Sequence, residues 1–302
     1  MVVTGGAGFI GSRLVHAVIA EGVAVTVVDD LSTGLADSLP ANSELLRFDI
    51  ADKAVSPAIA AARPDVVVHA AAQISVTRSI DDPARDHAVN VRGTRNVIEG
   101  ARAAGCRKFV FVSSGGAVYG EADGATEDTA TAPASPYGHN KLLAEGLVAA
   151  SGIPYAIARL ANVYGMGQRA GLEGGVVAIF MDAARTNGSA TIYGDGMQIR
   201  DFVFVDDVVA ALSRLAISEA SGTWNVGTGQ GTSVHDLLRL VEQAVGHEMP
   251  HEHRPARIGE ISRSRLSVER IAAEIGWRAS TTLSSGLAEI ARAGGPSTRA
   301  FR

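Results

Sequence analysis

The chain has 302 residues, 46% of them hydrophobic, and a formal net charge of −5. This length supports one large domain or two coupled ones, and the composition is that of packed α/β layers, which excludes a disordered chain. A net negative charge does not favour binding to nucleic acid or to a membrane surface, and we expect neither as a partner.

Compartment signals point to the cytoplasm. Cys106 has no second cysteine to pair with, which excludes an internal disulfide and favours a reducing compartment. The chain opens on an apolar strand pattern rather than on a basic and apolar leader, and no apolar run is long enough to span a bilayer. We therefore expect a cytoplasmic protein.

In chain order, the first half alternates short apolar runs with helical stretches. The predicted strands are Val2–Thr4, Val23–Val28, Leu45–Asp49, Asp65–His69, Lys108–Ser113 and Pro154–Arg159. The predicted helices are Phe9–Glu21, Pro83–Ala104 and Pro136–Ser151. Continuous apolar strands between helices are typical of a sheet buried on both faces, so the pattern predicts an α/β fold with a doubly wound parallel (Rossmann) sheet.

The second half has a looser rhythm. Gly165–Gly175 is glycine-rich and predicts a mobile loop, Asp206–Ile217 predicts a helix that begins at an acidic cap, and Trp224–Val226 predicts a strand. From Gly227 to Gly286 we expect helix mixed with basic loops, and we expect the tail from Gly294 to fray.

This change of rhythm predicts a smaller C-terminal α/β domain that binds substrate. We assign residues 1–161, plus about 201–226, to a dinucleotide-binding domain. Residues 162–200 and 227–302 are assigned to the second domain.

A glycine-rich turn joins the first strand to the first helix. Gly5, Gly8 and Gly11 have the spacing Gly-x-x-Gly-x-x-Gly, and Phe9 and Ile10 open the helix. Glycines at these points let the backbone turn tightly and approach a pyrophosphate, which rests on the N–H groups of the helix N-terminus. The position of the motif between a strand and a helix predicts a dinucleotide site.

The acidic end of the second strand indicates which dinucleotide binds. Asp29, followed by Asp30, lies about twenty residues beyond the glycine turn, where a carboxylate accepts hydrogen bonds from an adenosine ribose and repels a 2′-phosphate. NAD is therefore favoured over NADP, the alternative being that these residues only cap the next turn. Asp49 and Ile50 close the third strand, and we expect them beside the adenine.

The run Ser135-Pro136-Tyr137-Gly138-His139-Asn140-Lys141 carries the clearest chemical signal. Ser135 is a good N-cap and Pro136 a good first helical residue, so a helix is expected to begin here, and residues four apart share one face. A nearby cation and the positive helix end would lower the pKa of Tyr137 from about 10 toward working pH. The pair Tyr137 and Lys141 is thus a candidate proton-transfer site, the alternative being a solvated helix face.

Further motifs occur in the order of a known family. They are His69-Ala70-Ala71-Ala72-Gln73, Asn90, Ser113-Ser114, Arg159-Leu-Ala-Asn162-Val-Tyr-Gly165, and the stretches 174–180, 194–208 and 259–264. Over nearly its whole length the sequence resembles the extended short-chain dehydrogenase/reductase family and, within it, the UDP-glucose 4-epimerase group.

The resemblance implies a role for each matching residue. Tyr137 is implied as the base, Lys141 as the residue that holds the nicotinamide ribose, and Ser114 as a hydroxyl partner. The residues implied to bind NAD are Gly5, Gly8, Phe9, Ile10, Gly11, Asp29, Asp30, Asp49, Ile50, Ala70, Ala71, Ala72, Asn90, Ser113, Tyr137 and Lys141. Those implied to bind a UDP-sugar are Ser114, Asn162, Val176, Val177, Thr191, Tyr193, Arg200, Arg257 and Ser264, with the arginines on the diphosphate.

Two positions bear on the proton relay and on the substrate. Epimerases of this family commonly carry a third serine or threonine where this chain has Gly115, which puts the usual relay in doubt and leaves Ser114 or a water to take over. Some relatives have a tyrosine where this chain has Ser264, and the small side chain would leave space for an N-acetyl group.

The implied activity is NAD-dependent inversion at C4 of a UDP-hexose through a transient 4-keto sugar. UDP-glucose and UDP-galactose are the expected pair, and the N-acetyl forms stay open. Alternatives on the same Tyr–Lys machinery are a UDP-glucuronate 4-epimerase or decarboxylase, assisted by Arg185 or Arg169, and a nucleotide-sugar reductase. A non-catalytic NAD-sensing protein is the alternative from a different class, although such proteins usually lose the Tyr–Lys pair.

Two remaining features concern metals and self-association. His247, His251 and His253 fit no standard zinc spacing, so we predict a solvated loop and no metal site. The helices predicted at 83–104 and 136–151 carry apolar stripes, and relatives pair these helices, which implies a homodimer. Alternatively, the sheet takes up both stripes.

Overall fold

The fold is described by a computed structural model that covers residues 1–173, 175–256 and 261–294. Arg257 and the tail from residue 295 lie outside the described residues. The strands are β1 (Val2–Thr4), β2 (Thr26–Asp29), β3 (Glu44–Arg47), β4 (Val66–His69), β5 (Lys108–Ser114), β6 (Ala122–Ala125), β7 (Tyr155–Leu160), β8 (Asn162–Tyr164), β9 (Ala190–Tyr193), β10 (Ile199–Phe204), β11 (Gly222–Val226), β12 (Gly231–Ser233), β13 (His251–Arg254) and β14 (Arg263–Leu266). The α-helices are α1 (Phe9–Ala20), α2 (Val55–Ala62), α3 (Val76–Asp81), α4 (Pro83–His87), α5 (Thr94–Ala103), α6 (Gly115–Tyr119), α7 (Pro136–Ala149), α8 (Ala170–Glu173), α9 (Val176–Arg185), α10 (Val205–Ile217), α11 (Val234–Val245), α12 (Glu269–Ile275) and α13 (Leu283–Arg292).

Within the described residues, seven strands form a central sheet in the order β11-β7-β5-β4-β1-β2-β3. All neighbouring strands in it run parallel. The order reverses between β1 and β4, and such a switch point opens a crevice at the carboxyl ends of the strands. This confirms the predicted fold class, a doubly wound parallel α/β sheet.

Apolar layers cover both faces of this sheet. On one face α1 and α10 pack through residues such as Leu14 and Leu212, and on the other α2, α5 and α7 pack through Ile59, Val97 and Ala144. These side chains are buried. Because such interiors are close-packed, the strand ends are held in fixed positions and can orient polar groups.

A smaller α/β region is built on the sheet β12-β10-β14-β6, with β8 beside β10, and on the strand pair β13-β9. The helices α9, α11 and α13 bury Phe180, Leu237 and Leu287 in its core. The sequence assigned β6 and most of β10 to the dinucleotide-binding domain, yet both strands pair within this second sheet. The domain boundaries stay a prediction, and two strands cross them.

The helix predicted over Pro83–Ala104 is interrupted. A π-helical turn over Ala88–Gly93 separates α4 from α5. Inside this turn the side chain of Asn90 donates to the carbonyl of Gln73 at 2.9 Å and accepts from its N–H at 3.1 Å. These tertiary hydrogen bonds favour the wider turn over a regular helix, and π turns are frequent at functional sites.

Other local predictions need correction. The predicted acidic cap of α10 is wrong, because the N-cap is Phe204 and Asp206 forms an ion pair with Arg13 instead. The loop predicted at 165–175 contains α8. The histidine segment predicted as a loop forms β13, because its backbone pairs with β9. The other predicted strands and helices are present, with ends shifted by up to three residues.

Candidate active site

The glycine turn between β1 and α1 forms a cradle of bare backbone. Gly5 has φ +69°, and a Cβ there would lie 2.6 Å from the backbone nitrogen of Ala71. A Cβ on Gly11 would overlap the carbonyl of Gly5. The N-cap residue Gly8 has no side chain to cap the first N–H groups of α1. Phe9 and Ile10 supply two of these groups, so the turn fits a dinucleotide pyrophosphate.

The carboxylate of Asp29 lies at the end of β2, beside this turn. Its two oxygens accept hydrogen bonds from the N–H groups of Ala7 at 2.9 Å and Leu31 at 2.8 Å. Burial raises the pKa of Asp29, and the two backbone bonds oppose that rise. Each oxygen keeps a second lone pair for a ribose hydroxyl. Asp30 lies outside this arrangement, because it accepts from Ser32.

The remaining residues predicted to bind cofactor divide into two groups. Ala70, Ala71 and Ala72 follow β4 directly, where the first two lie against the glycine turn. In the second group the side chains are engaged elsewhere: Asp49 pairs with Arg85, Ile50 is buried against Gly93, Asn90 bonds Gln73, and Ser113 donates to Glu145 at 2.6 Å. A contact between these side chains and NAD stays a prediction.

Helix α7 begins where the sequence predicts and brings Tyr137 to the carboxyl end of β5. The hydroxyl of Ser135 accepts from the N–H of Gly138 at 3.1 Å and caps the helix. A Cβ on Gly138 would overlap the carbonyl of Ala117, so the first turn of α7 packs closely on α6. Tyr137 and Lys141 are both buried, which rules out the alternative of a solvated helix face.

The pKa of Tyr137 differs from the sequence-based expectation. Burial raises it to about 12, and a hydrogen bond with Ser114 only partly offsets that rise. The expected lowering by Lys141 is wrong for the protein alone, because desolvation of the phenolate is the larger effect. The phenol is therefore protonated at neutral pH unless further positive charge is placed beside it.

Lys141 is held by the strand beneath it. Its ammonium donates to the carbonyl of Val112 at 2.9 Å and lies 4.8 Å from the centre of the Phe111 ring. Burial lowers its pKa to about 8, and the charges of Glu145 and Asp86 oppose this shift. Lys141 is thus mainly a cation at neutral pH, with one ammonium orientation fixed by the backbone.

Gly115, where relatives commonly carry a third hydroxyl, has little room for a side chain. A Cβ on Gly115 would meet the side chain of Leu266 at 2.8 Å and the carbonyl of Leu160 at 3.3 Å, so a side chain there would point into packed structure. Ser114, one residue earlier, is the hydroxyl that bonds Tyr137. A part for Ser114 in the proton relay stays a prediction, and this contact supports it.

The residues predicted to bind substrate lie mostly along β10 and its neighbours. Arg200 on β10 is in register with Ser264 on β14, and Asn162 on β8 is in register with Phe202. Ser264 also faces α6, because its hydroxyl lies 2.8 Å from where a Cβ of Gly116 would be. These strands therefore bring Arg200 and Ser264 together next to the helix that follows Ser114.

Four other predicted substrate residues lie farther along the smaller region. Thr191 and Tyr193 are on β9, next to β13. Val176 opens α9, and Val177 is buried in the core of the region. A contact between either residue and a substrate stays a prediction.

Sequence reasoning missed a buried network behind the Tyr–Lys pair. Arg159 forms an ion pair with Glu145 at 2.6 Å and donates to the hydroxyl of Tyr119 at 2.8 Å. Glu145 also accepts from Ser113, so the network ties α7 to β5 and β7. Its spacing was a signal, because Glu145 lies four residues after Lys141 on the same helix face.

The three histidines near residue 250 lie on or beside β13. Over residues 1–173, 175–256 and 261–294, no group of three or more His, Cys, Asp or Glu side chains has the arrangement to hold a metal ion. In the same residues, no helix is long and apolar enough to cross a membrane.

A sequence model of the NAD dependent epimerase/dehydratase family matches residues 1–227. The chain belongs to this family. Its glycine turn, Asp29 and the Tyr137–Lys141 helix all lie within the matched residues. NAD is therefore the cofactor, in agreement with the cradle at Gly5 and the carboxylate at Asp29.

Relatives from this epimerase/dehydratase family match almost the entire chain. The UDP-glucose 4-epimerase of Mycolicibacterium smegmatis is 43% identical over 300 residues, which cover 95% of this chain and 96% of that protein. The UDP-glucose 4-epimerase of Thermotoga maritima, solved with UDP-glucose, is 37% identical with a TM-score of 0.94 over 96% of this chain and 97% of its own. The UDP-glucose 4-epimerase of Thermus thermophilus, solved with NAD, has the same identity and coverages and a TM-score of 0.92.

Proposed function

We propose that the protein is an NAD-dependent 4-epimerase of UDP-hexoses, an isomerase that interconverts UDP-glucose and UDP-galactose. One observation carries the proposal: buried Tyr137, bonded to Ser114, shares a helix face with Lys141 at the carboxyl edge of an NAD-binding sheet. The similarity to UDP-glucose 4-epimerases over 95% of the chain supports the same substrate class.

The proposed chemistry is proton and hydride transfer at C4 of the sugar. When bound, NAD⁺ supplies the hydride acceptor and a positive charge that favours ionised Tyr137. Tyr137 then takes the proton of the 4-hydroxyl, and Ser114 holds the phenol oxygen in place. Lys141 keeps a second positive charge near the phenol because the carbonyl of Val112 fixes its ammonium.

The substrate is held through its diphosphate, away from the reacting carbon. We propose that Asn162, Arg200 and Arg257 hold the diphosphate, and that Thr191 and Tyr193 border the uracil. Binding energy from this remote group positions C4. Because the sugar is anchored through the diphosphate, the hexose ring itself is free to rotate between the two hydride transfers. Rotation of the 4-keto sugar about its diphosphate link explains how either face of C4 can be reduced.

The glucuronate and NAD-sensor alternatives lack support in the described residues. Arg185, a candidate for holding a glucuronate carboxylate, donates instead to the carbonyl of Ile290 at 2.7 Å. Arg169 likewise donates to the carbonyl of Thr33. A non-catalytic NAD sensor would not need a buried tyrosine with a hydroxyl partner and a lysine on one helix face.

We also propose that the protein is a cytoplasmic homodimer. Ile80 of α3 and Leu143 of α7 leave 61% and 54% of their surfaces exposed, and Val76 of α3 leaves 46%. The two helices pack against each other, so these side chains form an apolar face that a second copy would cover. Three of the four exposed residues of α5 are charged, namely Arg95, Glu99 and Arg102, so we propose that α7 rather than α5 supplies the apolar stripe.

The experiment is an assay of UDP-galactose conversion by wild type and by Tyr137→Phe. We expect the variant to retain NAD and the fold but to lose about two to four orders of magnitude in kcat, the usual contribution of a general base. Parallel reactions with UDP-N-acetylglucosamine and UDP-glucuronate define the sugar. Near-normal turnover by the variant would contradict the assignment.

A further inference from the structure

Asp86 is a buried carboxylate with amide partners only. It lies on α4, just before the π turn, and none of its surface is exposed. One oxygen accepts from Gln73 Nε2 at 2.5 Å and from Asn90 Nδ2 at 3.0 Å, and the other accepts from Asn140 Nδ2 at 2.7 Å. Among the described residues, Asp86 has no Lys, Arg or His within ion-pair distance.

The three amides come from three separate segments of the chain. Gln73 follows the alanine run after β4, Asn90 lies in the π turn, and Asn140 is on α7 between Tyr137 and Lys141. Asn90 and Gln73 also bond each other through the backbone, which leaves little freedom for any member. A single carboxylate therefore joins the helix that carries Tyr137 to the strand end and to the turn beside it.

A buried charge without an ion-pair partner is costly, so its presence here needs a reason. The charge of Asp86 acts on the ammonium of Lys141, which is itself buried. The negative charge favours protonated Lys141 and also raises the pKa of Tyr137. Amides hold the carboxylate in place but carry no charge. An arginine in their place would neutralise it.

We propose that Asp86 is a positioning residue of the reaction, which fixes the first turn of α7 through Asn140 and supplies the counter-charge that keeps Lys141 an ammonium. This role rests on the proposed function, because it serves the Tyr–Lys pair. The inference assigns no contact between Asp86 and the substrate.

Other charges around Lys141 are accounted for. Glu145 lies on the same helix but is paired with Arg159 of β7, and His69 of β4 faces Lys141 as a neutral imidazole. Around Asp86, the ionisable residues of α3 and of the π turn are exposed: Arg78, Asp81 and Arg92. Asp86 is thus the carboxylate near Lys141 that has no cation of its own.

The test is a titration of Lys141 that needs neither substrate nor turnover. The chain has three lysines, Lys53, Lys108 and Lys141, so lysine-selective ¹³C labelling gives few NMR signals, which Lys53→Arg and Lys108→Arg assign. In Asp86→Asn we expect the midpoint of Lys141 to fall by about one pH unit, because removing an anion disfavours the ammonium. The alkaline limb of kcat should move to lower pH by the same amount.

A second variant separates the effect of the Asn140–Asp86 hydrogen bond, which we call the tether, from the effect of the negative charge of Asp86. Asn140→Ala keeps the carboxylate and removes its bond to α7, so we expect kcat to fall severalfold while the Lys141 midpoint stays within about 0.3 pH units of wild type. Should Asp86→Asn fold poorly, this variant still tests the tether. The proposal is overturned if Asp86→Asn leaves the midpoint unchanged or if Asn140→Ala retains full kcat. Because the titration is independent of catalysis, its outcome is distinct from that of the epimerase assay.

Discussion

At the scale of single residues, burial governs the chemistry of the site. The sequence predicts a lowered pKa for Tyr137 because of the nearby Lys141 and the positive end of the helix. The structure shows that desolvation is the larger effect on both, raising the pKa of the phenol and lowering that of the ammonium. The pair is therefore arranged to respond to the charge of a bound cofactor, and ionised Tyr137 is expected only in the NAD⁺ complex.

His69 makes the stability of the fold depend on pH. Its Nδ1 accepts from Thr4 and its Nε2 donates to Thr94, and burial lowers its pKa to about 3. The unfolded chain binds a proton near pH 6.5 and the folded chain does not, so His69 lowers stability as the pH falls from about 6.5 toward 3. The expected slope is about 1.4 kcal/mol per pH unit. Urea unfolding at pH 7, 6 and 5 measures it, and His69→Gln should flatten the slope while costing stability at pH 7. Parallel curves for the two proteins would refute this role.

Ser264 is expected to set the size of the accepted sugar. Its hydroxyl lies beside Gly116, next to the helix that follows Ser114. A tyrosine there would fill the space proposed for an N-acetyl group, so Ser264→Tyr should lower kcat/KM for UDP-N-acetylglucosamine at least tenfold, about 1.4 kcal/mol, relative to UDP-glucose. Ser264→Ala is the matched control and should keep the wild-type ratio. An unchanged ratio in the tyrosine variant would show that Ser264 does not limit the site.

At the scale of elements, the start of α7 is the part of the site that the sequence predicts best. Ser135, Pro136 and the four-residue spacing of Tyr137 and Lys141 are local signals, and the helix begins where they indicate. The π turn at 88–93 and the strand at 251–254 could not be predicted, because tertiary hydrogen bonds create both. The same applies to Asp86, since Gln73 and Asn140 are 13 and 54 residues away in sequence and only Asn90 is close, four residues later.

The cap of α7 allows structural and catalytic effects to be separated. Ser135→Ala removes the hydrogen bond to the N–H of Gly138 and should cost about 1 kcal/mol of stability. Ser233→Ala removes the equivalent cap of α11, at the N–H of Asp236, and should cost a similar amount. Only the first loosens the turn that carries Tyr137, so only Ser135→Ala should lower kcat severalfold. Thermal unfolding and steady-state assays compare the two, and equal effects on kcat would contradict the expectation.

At the scale of the whole molecule, the sequence predicts the layers and the cofactor-binding edge but not how the second sheet is assembled. Apolar strands alternating with helices specify the parallel sheet, because burial on both faces requires that composition. β6 and β10 join the second sheet from segments that read as part of the first, since short strands carry no signal of their partners.

Self-association can be tested on the apolar face of α3 and α7. Leu143→Glu places a charge where a second copy is proposed to pack, so sedimentation velocity should show a shift from dimer to monomer. Arg95→Glu, on the exposed polar face of α5, is the control and should stay a dimer. A wild-type protein that sediments as a monomer would refute the proposed interface.

The central claim is that the hydrogen at C4 leaves the sugar and returns to it in one catalytic cycle, at the same active site. Its most direct test is to incubate the purified protein with UDP-galactose in D₂O, without added cofactor, and to follow the products by ¹H NMR. We predict that UDP-glucose forms with hydrogen, not deuterium, at C4, because the hydride does not exchange with solvent. Deuterium at C4, or a requirement for stoichiometric NADH, would contradict the account.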